Sequence, residues 1–111
     1  NNQFPDLVVN ISEDAWFGKS IGPNQHYSKV VYRAVEEGLF VARSANKGIS
    51  GFIDPNGKLI KFLSRSESGN VELKMPQFAG KTLFSKYGNK IFFLIIFLYI
   101  LLTLIFKKFK I

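Results

Sequence analysis

The sequence of 111 residues predicts an α/β domain followed by one transmembrane helix. Short apolar runs alternate with turn residues over 1–64, and one stretch within this region has helical periodicity. Polar residues with Gly and Ser then dominate 65–89, which is typical of an irregular connector. Almost every residue of 91–106 is apolar, so we expect a membrane-spanning helix over 90–107 and a basic tail over 108–111.

A strand and a helix open the predicted domain. Leu7–Ile11 is a short run rich in β-branched residues, which is typical of a buried strand. Pro23 suits the first turn of the following helix, because its fixed φ is helical and its missing N–H would be unpaired there. Between Tyr27 and Gly38, apolar or small residues recur every three or four positions. This stretch therefore predicts an amphipathic helix that Gly38 ends in a left-handed conformation.

Three further strands are expected after the helix. Leu39–Ala42 is apolar at consecutive positions, which predicts a strand buried on both faces. Ile49–Ile53 and Lys58–Leu63 flank Asp54–Gly57, where a proline at the second turn position and a later glycine indicate a hairpin. A single helix over a few strands buries little apolar area, so we expect a missing N-terminal part to supply the rest of the sheet.

The net charge of +7 is distributed in a way that suits a membrane better than a nucleic acid. Residues 81–111 hold six lysines and no acid, whereas 1–80 hold nine Lys and Arg against eight Asp and Glu. The basic excess therefore brackets the apolar segment, where anionic lipid headgroups lie. Three lysines stand on each side of that segment, so charge leaves the membrane orientation open. The chain contains no cysteine and one histidine, so we expect no disulfide, no Cys nucleophile and no metal site within these residues.

One loop carries the strongest functional signal. The run Asp14-Ala15-Trp16-Phe17-Gly18 directly follows the first strand and places two large aromatic side chains at the carboxyl end of that strand. In open α/β sheets, this edge is where ligands bind. The alternative is that Trp16 and Phe17 only plug the edge of the domain, and the residues by themselves leave both interpretations open.

Other polar groups near this loop have simpler interpretations. A Ser–His–Asp triad built from Asp14, His26 and either Ser20 or Ser28 has no support in the spacing of these residues. A lone histidine in the first turn of a helix is more often a local hydrogen-bonding group. The adjacent acids Glu13 and Asp14 are equally consistent with capping the loop and with a functional role.

The segment from Ser12 to His26, Ser-Glu-Asp-Ala-Trp-Phe-Gly-Lys-Ser-Ile-Gly-Pro-Asn-Gln-His, closely resembles a motif of the apolipoprotein N-acyltransferases. Further matches follow in the same order at 33–36, 43–50 and 53–57. A run of this length in fixed order is specific, and the apolar C-terminal segment fits the family by its architecture. One departure is Glu13, which stands where the family usually has Asn.

The resemblance implies a fold and a reaction. The fold is the C-terminal part of a nitrilase-like α-β-β-α sandwich, followed by one transmembrane helix. The reaction is transfer of an acyl chain from a phospholipid to the N-terminal diacylglyceryl-cysteine of lipoproteins, at the bacterial inner membrane. The implied partners are the phospholipid donor, the diacylglyceryl-modified apolipoprotein, the membrane and the missing N-terminal part of the enzyme, without a cofactor or nucleic acid. The globular part would be periplasmic and the C-terminus cytoplasmic.

The resemblance also implies where the chemistry lies. Enzymes of this family use a Glu–Lys–Cys triad, in which Cys attacks the ester, Glu is the general base and Lys stabilises the oxyanion. All three lie upstream of the matched residues, so none is carried over and this chain alone is expected to be inactive. The expected site residues are Trp16, Phe17, Gly18 and Asp14 as a loop that binds the acyl chain or lipid, with Asn46 and Gly48 shaping the neighbouring loop.

Two other functions stay open at this level. An amidase of the nitrilase superfamily would not need the apolar C-terminal segment or the Trp-Phe-Gly loop. A non-catalytic membrane-anchored remnant would differ from the enzyme only in residues upstream of this sequence. Glu13 is consistent with a tolerated surface charge in an active enzyme and with relaxed selection in a remnant.

Overall fold

The computed structural model describes residues 4–74 and 80–110, which divide into two units. The first unit, Asn1–Lys81, contains a four-stranded sheet and one long helix, and the second, Thr82–Ile111, is helical. In chain order the first unit comprises β1 (Leu7–Glu13), a 3-10 turn (Asp14–Phe17), α1 (Gly22–Glu37), β2 (Phe40–Asn46), β3 (Ser50–Ile53) and β4 (Leu59–Leu63). The second comprises α2 (Leu83–Tyr87) and α3 (Lys90–Phe109).

The sheet has the strand order β1-β2-β3-β4. β1 and β2 are parallel, and α1 forms the crossover between them, while β2, β3 and β4 are successively antiparallel. The predicted α/β class is confirmed. β1 extends two residues beyond the predicted strand, which places Glu13 opposite Asn46 at the carboxyl ends of the two parallel strands.

Helix α1 forms as its sequence signals predict. It begins at Gly22 with Pro23 in its first turn, and it ends before Gly38, whose φ of 67° is left-handed. The apolar face of α1 packs against the sheet, because Val30 and Ala34 form the buried core together with Val41 and Ile53. This core fixes the helix over one face of the sheet.

Strand β2 differs from its predicted form. It is longer than the apolar run that predicted it, and its burial alternates: Val41 and Arg43 are buried, whereas the neighbouring Ala42 is partly exposed. Only the face under α1 is fully covered, and on the opposite face Val9 and Ile11 are 66% and 82% exposed. The prediction of burial on both faces is wrong for the described residues, because consecutive apolar residues do not say which face a neighbouring element covers.

The predicted hairpin joins β3 and β4. The carboxylate of Asp54 accepts hydrogen bonds from the backbone amides of Asn56 and Lys58 at 2.9 and 2.8 Å. Gly57 has a φ of 83°, which a residue with a side chain rarely adopts. The Asp-Pro-Asn-Gly run therefore forms the turn through its own side chain and its glycine.

The segment predicted as an irregular connector contains a short helix. α2 (Leu83–Tyr87) begins where the hydroxyl of Thr82 accepts a hydrogen bond from the amide of Ser85 at 3.0 Å, which is an N-terminal cap. The expectation of irregular structure is therefore wrong at this point. Residues 75–79 of the same segment lie outside the described residues.

Helix α3 is longer than the apolar run that predicts it. It spans Lys90–Phe109, or 20 residues, because the lysines at both ends are themselves helical. Lys107 lies in α3, within the range predicted for the helix, and Lys108 and Phe109, which were expected in a separate basic tail, also belong to its last turn. At about 1.5 Å per residue its length is about 30 Å, close to the thickness of a bilayer's hydrocarbon core. By length and composition α3 is able to cross a membrane, with a mean hydropathy of 2.4.

The described core predicts unequal effects for two isoleucines. Ile53→Ala should lower the free energy of unfolding by about 2–5 kcal/mol, because it leaves a cavity beneath α1, where Ile53 is fully buried. The matched control Ile11→Ala removes the same atoms from an exposed position and should change stability far less. Urea titration in detergent micelles measures both losses. Brief proteolysis detects the unfolding of the first unit, which contains the sheet and which we name the sheet unit. Equal losses would contradict the described packing.

Candidate functional site

The loop after β1 folds into a short 3-10 turn, Asp14–Phe17, which we name the aromatic turn. Its first residue follows Glu13, whose carboxylate accepts a hydrogen bond from the amide of Ala15 at 3.2 Å. The turn ends at Gly18, which has a φ of 54° and donates its amide to the carbonyl of Ala15 at 3.1 Å. A positive φ favours glycine, so Gly18 allows the chain to leave the turn abruptly.

The aromatic turn presents its two large side chains differently. Trp16 is 87% exposed and Phe17 is 42% exposed. Phe17 lies edge-on to the ring of His26, with 5.8 Å between ring centroids. A Cβ on Gly22 would overlap the Phe17 ring, so the start of α1 is shaped around this side chain. At this exposure Trp16 does not plug the edge of the sheet unit, whereas Phe17 partly does.

Beneath the aromatic turn lies a buried ion pair. A guanidinium N–H of Arg43 donates to Oδ2 of Asp14 at 2.6 Å, and the two side chains are 1% and 0% exposed. Asp14 therefore belongs to the buried side of the turn, which changes the role expected for it. Its carboxylate holds the turn in place and is not on the surface where a ligand would lie.

Arg43 connects three parts of the sheet edge through separate donors. Besides Asp14 in the aromatic turn, it donates to the amide oxygen of Asn10 in β1. Its Nε donates to the carbonyl of Ile49, in the β2–β3 loop directly before β3, at 3.1 Å. These bonds satisfy most of the guanidinium N–H groups, which is what keeps a buried charge tolerable.

Two further groups stabilise the charged form of Asp14. The hydroxyl of Ser12 donates to Oδ1, and Nδ1 of His26 lies 2.9 Å from the same oxygen. Burial alone would raise the pKa of Asp14, but the hydrogen bonds from Ser12 and His26, together with the charge and hydrogen bond of Arg43, outweigh it. The pKa of Asp14 is therefore held below its usual value.

The arrangement is not a Ser–His–Asp catalytic triad. Ser12 and Asp14 both approach Nδ1 of His26, whereas a triad needs the serine at the other ring nitrogen. The serines considered from sequence are engaged elsewhere: Ser20 and Ser28 donate to backbone carbonyls of their own segments at 2.6 and 2.9 Å. Among the described residues, no three His, Cys, Asp or Glu side chains are grouped to hold a metal ion.

The β2–β3 loop lies against the aromatic turn. Asn46 donates its side-chain amide to both carboxylate oxygens of Glu13, at 3.0 and 2.9 Å, so the acid at the usual Asn position is held by the opposite strand. Gly48 is buried directly beside Asp14, and a Cβ there would overlap the carboxylate. Of the two residues predicted to shape this loop, Asn46 thus contacts the last residue of β1, and Gly48 lies beside the first residue of the aromatic turn.

Sequence reasoning missed the residues that support the site from below. From sequence, no role at the site is expected for Arg43, Asn10 or Ser12, although each is a polar residue at an alternate, helix-facing position of a strand. Such a residue inside an apolar strand signals a buried partner. The identity of that partner is not visible locally, because Asp14 and Arg43 are 29 residues apart.

Comparison of the amino-acid sequence with known proteins identifies a family. The carbon–nitrogen hydrolase family matches residues 3–77. The chain is 42% identical over 109 residues to an apolipoprotein N-acyltransferase of Rickettsia bellii and 43% identical over 113 residues to that of Rickettsia prowazekii, covering 97% of this chain in each case. The protein of the same name from Nitrosomonas europaea is 37% identical over 90 residues, or 81% of this chain. The chain spans about a fifth of the length of these relatives, at 22%, 23% and 18%.

The buried ion pair predicts a pH-dependent stability. Asp14→Asn should lower the free energy of unfolding by about 3–5 kcal/mol near neutral pH, because it leaves the charge of Arg43 buried without its partner. A carboxylate whose pKa is lowered by folding contributes stability above its unfolded pKa of about 3.9, and that contribution disappears as the pH falls through the folded value. The difference between the two proteins should therefore shrink on acidification below about pH 4. Urea unfolding over a pH series measures it.

The control for this measurement is Asp6→Asn, which removes an exposed carboxylate of the same type. Its stability should follow that of the unmodified chain at every pH. A difference between Asp14→Asn and the unmodified chain that stays constant from neutral to strongly acidic pH would show that the charge is not what stabilises the turn.

Proposed function

Because the chain belongs to the carbon–nitrogen hydrolase family, we propose that it acts as the C-terminal part of an apolipoprotein N-acyltransferase. In this proposal the whole enzyme moves an acyl chain from a phospholipid to the N-terminal diacylglyceryl-cysteine of lipoproteins. The relatives that match nearly all of the chain carry that name. The structural observation that carries the proposal is the aromatic turn, with Trp16 exposed at the carboxyl end of β1.

The aromatic turn suits a lipid acyl chain for a physical reason. An acyl chain outside the bilayer is stable only where apolar side chains shield it from water. Trp16 and Phe17 offer that surface, while Gly18 lets the chain turn away immediately after them. Burying part of the indole against an acyl chain contributes on the order of 1.5–3 kcal/mol. Asp14 takes no direct part in this contact and instead positions the turn through Arg43.

The bond-making steps belong to residues outside this chain, because residues 1–111 contain no cysteine. In the proposed reaction a cysteine thiolate attacks the donor ester, a thioester forms, and the lysophospholipid leaves as an alkoxide that takes up a proton. The free α-amine of the lipoprotein then attacks the thioester. An amide forms, the amine loses a proton and the thiol is regenerated. The aromatic turn would hold the acyl chain during both steps.

The second unit supports a membrane location in this proposal. α3 is long enough to cross the hydrocarbon core, and lysines stand at both of its ends, where their side chains can reach the lipid headgroups. We place the enzyme in the bacterial inner membrane, with the sheet unit on the periplasmic side and the C-terminus in the cytoplasm. A donor phospholipid and a lipoprotein substrate would then both reach the sheet unit from the same membrane surface.

Trp16 provides the test of the acyl-binding role. Residues 1–111 replace the matching segment of the Rickettsia prowazekii acyltransferase, and transfer from a labelled phospholipid to a diacylglyceryl peptide is followed. Trp16→Ala should slow transfer about ten- to a hundredfold, since the apolar contact is lost where Trp16 projects from the turn. The matched variant Trp16→Phe keeps an aromatic surface and should retain most of the rate.

The outcomes separate the possible roles of Trp16. The same variants in residues 1–111 should unfold at unchanged urea concentrations, because the side chain is 87% exposed. Unchanged transfer by Trp16→Ala would remove the turn from the site. A folded chimera without activity would instead favour a non-catalytic remnant, and amide hydrolysis without acyl transfer would favour an amidase.

The proposed orientation is tested by thiol labelling, which is clean because the chain has no native cysteine. Ser68→Cys lies at an exposed position of the sheet unit, and Ile111→Cys follows α3. In cells with a permeabilised outer membrane, an impermeant maleimide should label the first and spare the second. The reverse pattern would contradict the orientation, and labelling of both would contradict a membrane-spanning α3.

A further inference from the structure

A surface arginine joins the two loops of the candidate site. Nη2 of Arg65 donates to the carbonyl of Gly18 at 3.0 Å, and its Nε donates to the carbonyl of Lys47 at 3.2 Å. A guanidinium has five N–H donors, and these bonds use two of them. Lys19 follows Gly18 in the chain, so Lys19 and Lys47 lie on the backbone segments that flank this guanidinium.

These three cations are exposed, and no carboxylate neutralises them within the part of the chain that the structure describes. Among the side chains with a fixed charge, the ion pairs there join Arg33 to Glu36 and Arg43 to Asp14. Two acids of the neighbouring segments accept hydrogen bonds from uncharged groups. Glu13 accepts from Asn46, and Glu67 accepts from the amide of Ser64 at 2.9 Å.

The backbone does not explain the residue type at the centre of this group. Lys47 has a φ of 59°, the left-handed region in which Gly and Asn are favoured over a long side chain. Within the described residues it is the non-glycine position with positive φ. A lysine there projects from the tip of the β2–β3 loop and carries a charge that its own fold does not use.

Cations beside exposed aromatic side chains suit a ligand with an anionic group and an apolar chain. Arginine binds phosphate oxygens through its planar fork, and lysine adds a point charge. We propose that Lys19, Lys47 and Arg65 bind the phosphate group of the acyl-donor phospholipid while Trp16 and Phe17 receive an acyl chain. This inference rests on the proposed function for the identity of the donor. It assigns the headgroup to one set of residues and the chain to another.

The test uses Trp16 as a reporter, since it is the single tryptophan of the chain. The 111-residue protein is held in maltoside micelles, which contain no phosphate, and is titrated with dihexanoylphosphatidylethanolamine, with dihexanoylglycerol and with sodium phosphate. The phospholipid should shift Trp16 emission to the blue with a Kd about tenfold lower than that of the phosphate-free glyceride. Sodium phosphate should compete only at much higher concentration.

Charge variants identify the phosphate contacts. Lys19→Gln and Lys47→Gln alter no hydrogen bond of the described loops, so they remove charge without releasing Arg65. Each should raise the phospholipid Kd about two- to fivefold, and the pair about tenfold, with no change for dihexanoylglycerol. Arg65→Gln should raise it at least as much. Lys58→Gln, an exposed lysine of the β3–β4 hairpin, should leave the Kd unchanged.

Three results would overturn the inference. One is equal binding of the glyceride and the phospholipid, and another is a phospholipid Kd that none of the three variants changes. The third is saturation by sodium phosphate at the same concentration as the lipid, which would identify a site for free phosphate. None of these measurements needs acyl transfer. An inactive chimera would therefore count against the proposed function alone, and a failed titration with an active chimera against this inference alone.

Discussion

The buried pair of Asp14 and Arg43 is the interaction on which the rest of the sheet edge depends. Both side chains are almost fully buried, so each charge is tolerable because the other lies 2.6 Å away and because further hydrogen bonds satisfy most of the guanidinium donors and the second carboxylate oxygen. The pair joins the aromatic turn to β2, and Arg43 extends the connection to β1 through Asn10 and to the β2–β3 loop through Ile49. Loops that usually vary in position are thereby fixed to the sheet.

This constraint explains the small residues around it. Gly48 has no room for a side chain because the Asp14 carboxylate lies where its Cβ would be, and Gly22 has none because the Phe17 side chain lies where its Cβ would be. The polar residues below the turn and the glycines beside it therefore serve the same end. They fix the backbone of the turn from which Trp16 extends, with its side chain 87% exposed.

In the proposed site, the residues that hold the turn differ from most of those that would bind a ligand. Asp14 and Arg43 are buried and hold the turn, whereas Trp16, Lys19 and Lys47 are exposed. Arg65 is exposed and also joins the two loops through its hydrogen bonds. In the proposed function, a lipid acyl chain covers Trp16, whose side chain is 87% exposed in the described residues. The same proposal gives α3, which is long and apolar enough to cross a membrane, the role of an anchor.

Local sequence signals determined the elements of this protein. Pro23 and Gly38 bound α1, the Asp-Pro-Asn-Gly run forms the hairpin, and composition alone identifies α3, because each of these depends on neighbouring residues in the chain. The aromatic turn was also visible as a motif.

Only the tertiary structure decided what lies beneath the aromatic turn. The parallel pairing of β1 with β2 sets Asn10 opposite Arg43 and brings Asp14 within reach, across a long crossover through α1. Nothing local encodes that register, so the sequence identifies the groups and the fold alone decides which of them meet.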